Sequence, residues 1–343
     1  MTAKLFRAAL GAAVTVFALS HAATAQTRLL FNCFWPAQHY MCAEVLTGWK
    51  SQVEKATDGR VLIDIPAHSL APPPEQLAAV RSGIFDGSVQ FNSFIANEIT
   101  GGEIAMLPFV SVQDAAVNSI ALWRTFERFF DARSEFGDVH LLSLFASPGV
   151  DLYSLTEAPV SSMDAVVSHK LWALPGHVAD VLKSAGAPVV SGPAVQMTEL
   201  VQRGVVDGYV GIGSAASVAL NLAPYVKSVV RTERKINAGA FSMFVNSAVW
   251  DKIGQEDQKA IMAVSGEAFA RFAGSVWAAK ETEALEKISG EIKVINASAE
   301  FETALAALGQ GFVEDWIAEA EARGVPGREA LAFYQSTIAQ QMQ

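Results

Sequence analysis

Arg28 to Phe34 reads as a short apolar strand, which Pro36 ends. Cys42, Val45, Leu46, Trp49, Val53 and Ala56 then recur mostly three and four apart, the spacing of one helix face, and Thr57-Asp58-Gly59 stops that helix. Val61 to Ile65 is the next strand. Pro72-Pro73-Pro74 suits a loop before a helix start, Glu75 to Arg81 is helical, Gly83 caps it, and Ser88 to Phe91 is again a strand. Strand, helix, strand, helix, strand predicts a parallel α/β sheet.

The pattern returns in the second half. Lys170 to Leu174 is a strand, Pro175-Gly176 turns, and His177 to Ala185 is a helix. Pro188 to Val190 is extended, Val195 to Arg203 is helical, and Tyr209-Val210 begins another strand. The halves share an internal echo: Val80-Arg81-Ser82-Gly83-Ile84-Phe85-Asp86-Gly87 precedes Val201-Gln202-Arg203-Gly204-Val205-Val206-Asp207-Gly208 by 121 residues. Each reads helix end, glycine cap, two apolar residues, Asp-Gly, strand. Taken as equivalent crossovers, they place Gln90-Phe91-Asn92 and Gly211-Ile212-Gly213 at matching strand ends. Ligands of open α/β sheets bind beyond such ends, and two facing edges make a cleft between domains. Phe241 to Asn246 is a further strand. Glu256 to Lys287 is an Ala-rich helical stretch without Pro, about 48 Å long if unbroken, with Gly266 and Gly274 as places to kink. Shorter helices are expected from Glu300 to the end, broken at Gly309-Gln310-Gly311 and Gly324-Val325-Pro326-Gly327.

The fold class expected is α/β: two lobes, each a sheet flanked by helices, with a long helix spanning both.

Lys4 and Arg7 precede the apolar run Ala8 to Leu19, and Ala23-Thr24-Ala25 offers the small-x-small pattern of a cleavage site, so the amino terminus reads as a secretory signal. Its apolar core is shorter than the about 20 residues a membrane anchor needs. Cleavage before Gln26 removes two cations and leaves 23 against 35 acids, a net charge of -12. No later segment reaches 18 uninterrupted apolar residues, so the mature protein is expected to be soluble and not membrane-inserted, in a bacterial periplasm. That acidic balance argues against nucleic acid as a partner. Cys33 and Cys42 are the two cysteines; an oxidising compartment permits a bridge, and two buried thiols is the other reading.

Catalytic patterns do not emerge. The mature chain's five histidines, His39, His68, His140, His169 and His177, form no HExxH pair, and no CxxC, nucleophile elbow or P-loop lysine is present. Gly211-Ile212-Gly213-Ser214-Ala215-Ala216 has the outline of a dinucleotide loop, but in an exported chain a turn of small residues opening a helix is the better reading. No cofactor and no metal is expected. A secreted hydrolase, the alternative of another class, would need a nucleophile and base that no pattern supplies.

Gly83-Ile84-Phe85-Asp86-Gly87, Met106-Leu107-Pro108-Phe109, Lys170-Leu171-Trp172-Ala173-Leu174-Pro175, Gly204-Val205-Val206-Asp207-Gly208 and Val249-Trp250-Asp251-Lys252-Ile253 follow the leader in an order that resembles the periplasmic solute-binding proteins of TRAP transporters. The resemblance covers nearly the whole mature chain. It implies two lobes with crossing chain segments, approximately a leader over 1–25, lobe I from 26–149 plus 238–272, and lobe II from 150–237 plus 273–343. It also implies a receptor and not an enzyme, closing around a small organic ligand, an organic acid by preference, and delivering it to TRAP membrane subunits. One departure stands out. In that family the strand matching Lys170 to Pro175 usually carries an Arg that grips the substrate carboxylate. Here Trp172 takes the natural match and Ala173 the alternative register. Either another group acts, with His177 or His39 nearest in sequence, or the ligand is aromatic, apolar or cationic.

The ligand-binding candidates are Trp35, His39, Asn92, Phe145, Trp172, Tyr209 and Phe241. Core packing competes for Trp35, Phe145, Trp172, Tyr209 and Phe241, a solvated helix start for His39, and a turn cap for Asn92. The aromatic candidates would supply burial and a shaped wall, or a cage for a quaternary ammonium.

Overall fold

The computed structural model describes residues 26–130 and 135–343; the expected leader lies outside the described residues. Two mixed sheets organise the chain. The first has the order β2 (Val61–Asp64), β1 (Thr27–Asn32), β3 (Gly87–Phe91), β10 (Ala238–Asn246), β4 (Val139–Gly149). The second has the order β11 (Lys293–Asn296), β9 (Ser228–Arg231), β5 (Leu152–Ser154), β8 (Gly208–Val210), β6 (Leu171–Ala173), β7 (Val189–Ser191).

The parallel arrangement expected from alternating strands and helices holds for β2-β1-β3 and for β8-β6-β7. It does not hold throughout. β10 is antiparallel to β3 and β4, and β5 is antiparallel to β8 and β9. These exceptions arise where the chain passes directly from one sheet to the other. No crossover helix intervenes there to return the strand in the same direction.

Two such passages lie side by side, 150–151 outward and 232–237 back. Val150 N donates to Asn237 O at 3.0 Å. Asp151 Oδ1 accepts from Lys235 Nζ at 2.6 Å and from Thr232 N at 3.1 Å, with both charged side chains buried. Removing Asp151 would leave the buried Lys235 unpaired, whereas Asp151 has a second, longer ion pair with Arg231 at 3.8 Å, so the cluster fixes the register of the passages more surely than it adds net stability.

The sequence echo corresponds to matched local geometry. Gly83 and Gly204 take φ +74° and +62°, which lets each chain turn left-handed after its helix. Asp86 N donates to Leu30 O and Asp207 N to Lys170 O, both at 2.8 Å. Each Asp carboxylate also accepts from the neighbouring strand, Asp86 from Leu30 N at 2.7 Å and Asp207 from Lys170 N at 2.9 Å. The same device therefore registers β3 beside β1 and β8 beside β6.

The expected long helix is two. Gln255–Ala263 ends short of Gly266, whose φ of +51° breaks the axis, and Gly266–Ser289 follows at about 36 Å. Ser143 Oγ on β4 holds the break by donating to Gly266 O at 2.8 Å. Gly274 does not kink. A Cβ there would stand 2.5 Å from Ala116 Cα, so its role is close packing on the helix Ala115–Phe129. This long helix touches β4 and Ala115–Phe129 on one side and the helix Ser214–Ala219 on the other, and so spans both sheets.

The break expected at Gly309-Gln310-Gly311 is also absent, because Ala299–Ala322 runs through it. The break at 324–327 is present, with Gly324 at φ +81°. The last helix, Gly327–Gln341, packs against Ala115–Phe129. Cys33 and Cys42 form a disulfide, with Cα atoms 6.0 Å apart, which resolves the two readings in favour of the bridge.

Candidate functional site

Between the sheets lies a cavity of about 690 Å³, its open mouth included. The turns after β1, β3, β6, β7 and β8 line it, with the facing ends of β4 and β10 and the long helix. The site thus sits where the carboxyl ends of the parallel strands of both sheets converge.

The first-sheet wall is aromatic. Phe34 stacks on Trp35 with centroids 3.8 Å apart, and Phe241 lies 5.5 Å from Trp35, 5.3 Å from Phe91 and 5.6 Å from Trp277. Trp35, His39 and Tyr40 come from the turn that the disulfide closes. Backbone bonds from His39 N to Pro36 O and from Cys42 N to His39 O tighten that turn, and Met41–Leu46 continues as a π-helix. The opposing wall is the loop Gly211-Ile212-Gly213. Gly211 has φ +109°, and a Cβ on Gly213 would meet the Glu281 carboxylate at 2.6 Å. Both glycines are thus explained by turning and by close approach.

His39 is buried, and its Nδ1 accepts from Met41 N at 3.2 Å. The imidazole proton therefore sits on Nε2. Burial lowers its pKa to about 3, so the ring is neutral at physiological pH. Burial also raises the Tyr40 pKa well above the usual phenol value, and its hydroxyl has no partner among the described residues. Behind the Gly213 loop, Glu281 accepts from Ser214 N at 2.7 Å and Ala215 N at 2.9 Å. Burial raises its pKa, and these amide bonds oppose the rise. No Lys, Arg, Asp or Glu is found among the described residues lining the cavity.

Of the seven candidates, Trp35, His39 and Phe241 meet at the cavity. Phe145 stacks beneath Phe241 at 5.2 Å, fully buried and outside the lining. Asn92 is enclosed: its Nδ2 donates to Gly102 O and its Oδ1 accepts from Ser242 Oγ at 2.6 Å. Trp172 and Tyr209 are opposite one another on β6 and β8, and Tyr153 continues the row on β5. The tyrosine hydroxyls pair with Ser217 and Ser214 on the helix Ser214–Ala219, at 2.6 and 2.8 Å. The row is thus core beneath that helix, and Trp172 is fully buried. His177, the other residue considered for the missing Arg, is also outside the lining and packs near Phe312.

Tyr40, Phe94 and Trp277 were not singled out from the sequence. Tyr40 and Phe94 each lie next to or near a flagged strand end. Trp277 arrives from a helix more than 200 residues beyond the first strand, and nothing local reports that approach.

Two α/β sheets joined by paired passages, with an apolar cavity between strand ends, define a solute receptor. The chain belongs to the bacterial extracellular solute-binding protein family 7, whose model matches residues 31–320. A curated relative, the outer membrane transporter protein TsaT of Comamonas testosteroni, is 34% identical over 341 residues, covering 97% of this chain and 98% of that protein. Among solved structures, a TRAP periplasmic solute-binding protein of Bordetella bronchiseptica with bound (R)- and (S)-mandelate is 26% identical. It has a TM-score of 0.87, over 92% of this chain and 99% of that one. A marine metagenome TRAP solute-binding protein in complex with metahydroxyphenylacetate shares the fold, at 22% identity and a TM-score of 0.83, over 92% of this chain and 99% of that one. Proteins of this family are receptors for small organic solutes rather than enzymes.

Proposed function

We propose that this receptor binds a small aromatic acid in the periplasm and hands it to TRAP membrane subunits. The observation that carries the ligand class is the cavity wall of Phe34, Trp35, Phe91, Phe94, Phe241 and Trp277, which offers burial and edge or face contacts to a ring. Similarity to a mandelate-bound protein points the same way. Cleavage after Ala25 and residence in an oxidising compartment are consistent with the Cys33–Cys42 disulfide.

In this reading the two sheets are the cores of two lobes, 26–149 with 238–272 and 150–237 with 273–343, the final helix of the second returning to the first. Ligand touches both lobes and favours the closed form by the extra contacts made there. The membrane subunits recognise that form.

A thermal-shift panel tests the ligand class. Ligand at about 100 times its Kd stabilises by about 2.7 kcal/mol, so mandelate and related aryl acids are expected to raise the melting temperature. Aliphatic diacids are expected to leave it unchanged. A rise with the diacids and none with the aryl acids would refute the reading, and mass spectrometry of ligand released from purified protein would name the compound.

A further inference from the structure

Four rings with hydrogen-bond donors form one arc of the cavity wall. Trp35 lies 5.8 Å from His39, His39 lies 4.2 Å from Tyr40, and Tyr40 lies 5.8 Å from Trp277, centroid to centroid. All four are more than nine-tenths buried and line the cavity. Met41 N occupies His39 Nδ1, which leaves Nε2–H as the free group. Tyr40 Oη has no partner. No hydrogen bond from the indole N–H groups of Trp35 and Trp277 is found among the described residues; Trp49 Nε1 and Trp316 Nε1 are bonded, and Trp172 Nε1 in the core is not. The remaining side-chain hydroxyl of the lining, Ser147 Oγ, is already committed. It accepts from Gly239 N at 2.7 Å and donates to Pro148 O at 2.8 Å.

The lining therefore presents unpaired donors, no cation and no free side-chain carboxylate. An unpaired buried group such as Tyr40 Oη is costly and calls for a partner. An ionised acid is a group of acceptors only. We propose that the acid group of the ligand is held by the uncharged donors of His39, Tyr40, Trp35 and Trp277, in place of a cationic clamp that neither Trp172 nor Ala173 supplies. This rests on the aromatic-acid reading and adds where the acid end lies and how it is distinguished from uncharged analogues. A primary amide of the same shape brings two N–H groups to an arc in which Tyr40 Oη alone of the four groups can accept, and is expected to bind more weakly.

The test compares (R)-mandelate with mandelamide by calorimetry on the mature protein. Wild type is expected to bind the acid at least tenfold more tightly than the amide. Tyr40→Phe and Trp277→Phe each remove one polar hydrogen and keep an aromatic ring. Each is expected to weaken acid binding about tenfold and to narrow the acid-to-amide ratio, which general loosening of the site would not change. Two variants guard against a folding defect in one, and the ligand-free melting temperature reports such a defect directly. Wild type binding mandelate while both folded variants keep its affinity and ratio within twofold would overturn the donor arc alone. Wild type binding no aryl acid at all would overturn the ligand class and the arc together.

Discussion

Glu103 is a buried carboxyl whose pKa is raised to about 8, chiefly by desolvation and then by the nearby charges of Glu319 and Glu135, with Arg323 opposing. The folded state keeps a proton that the unfolded chain releases above its ordinary pKa of 4.5. Its contribution is therefore complete below pH 4.5 and is lost as pH rises through about 8. Glu103→Gln should gain stability relative to wild type across that window, by up to about 1.4 kcal/mol per pH unit. Denaturant melts of both proteins from pH 4.5 to 8.5 check this, and a constant gap would contradict it. His39 acts in the opposite sense: its stabilising contribution is present above its ordinary pKa of 6.5 and is lost as pH falls towards about 3. At this scale the sequence reported residue types but not the faces they occupy. Trp35 and Phe241 were legible as strand-end aromatics. Trp172 and Tyr209 looked the same on paper, yet three-residue strands in register turn both under a helix. That choice of face depends on neighbours drawn from elsewhere in the chain.

Glycines at the element scale mislead when read only as breakers. Gly266 does break a helix, but Gly274 and Gly309 are there for closeness. A Cβ at Gly309 would lie 2.6 Å from Pro108 Cβ, and one at Gly311, two residues on, would meet nothing within 4 Å. Gly309→Ala should therefore destabilise by about 1–3 kcal/mol through overpacking, despite better helix propensity. Gly311→Ala, at an exposed position, should stabilise by about 0.5–1 kcal/mol. Urea midpoints of the two single variants give the comparison, and equal signs would refute the packing argument. Elements whose signals are local were legible: the capped helices, the Asp-Gly crossovers and most strands of the parallel sets. The antiparallel partners were not, because direction within a sheet depends on where a passage crosses.

For the whole molecule, the halves also touch across the cleft. Ser93 Oγ, just after β3, donates to Pro175 O, just after β6, at 2.8 Å. If closure accompanies binding, this bond belongs to the closed form alone. Ser93→Ala should then lower apparent ligand affinity about three- to tenfold, the effect of about 0.5–1.5 kcal/mol for one hydrogen bond, with little change in ligand-free melting temperature. Small-angle scattering should show contraction of wild type with ligand, and the variant should need more ligand to reach it. Unchanged affinity would make the contact incidental to closure. The Cys33–Cys42 bridge has a consequence of its own. It ties down the short turn from which four of the wall's rings project, and a nine-residue loop of this kind restricts the unfolded chain by about 2–3 kcal/mol. A thiol reductant would leave both sheets standing while slackening that one corner. Readiness to capture a guest thus depends on the redox poise of the surroundings, and a copy still in a reducing cytoplasm would be a poor scavenger of the compound it is built to collect.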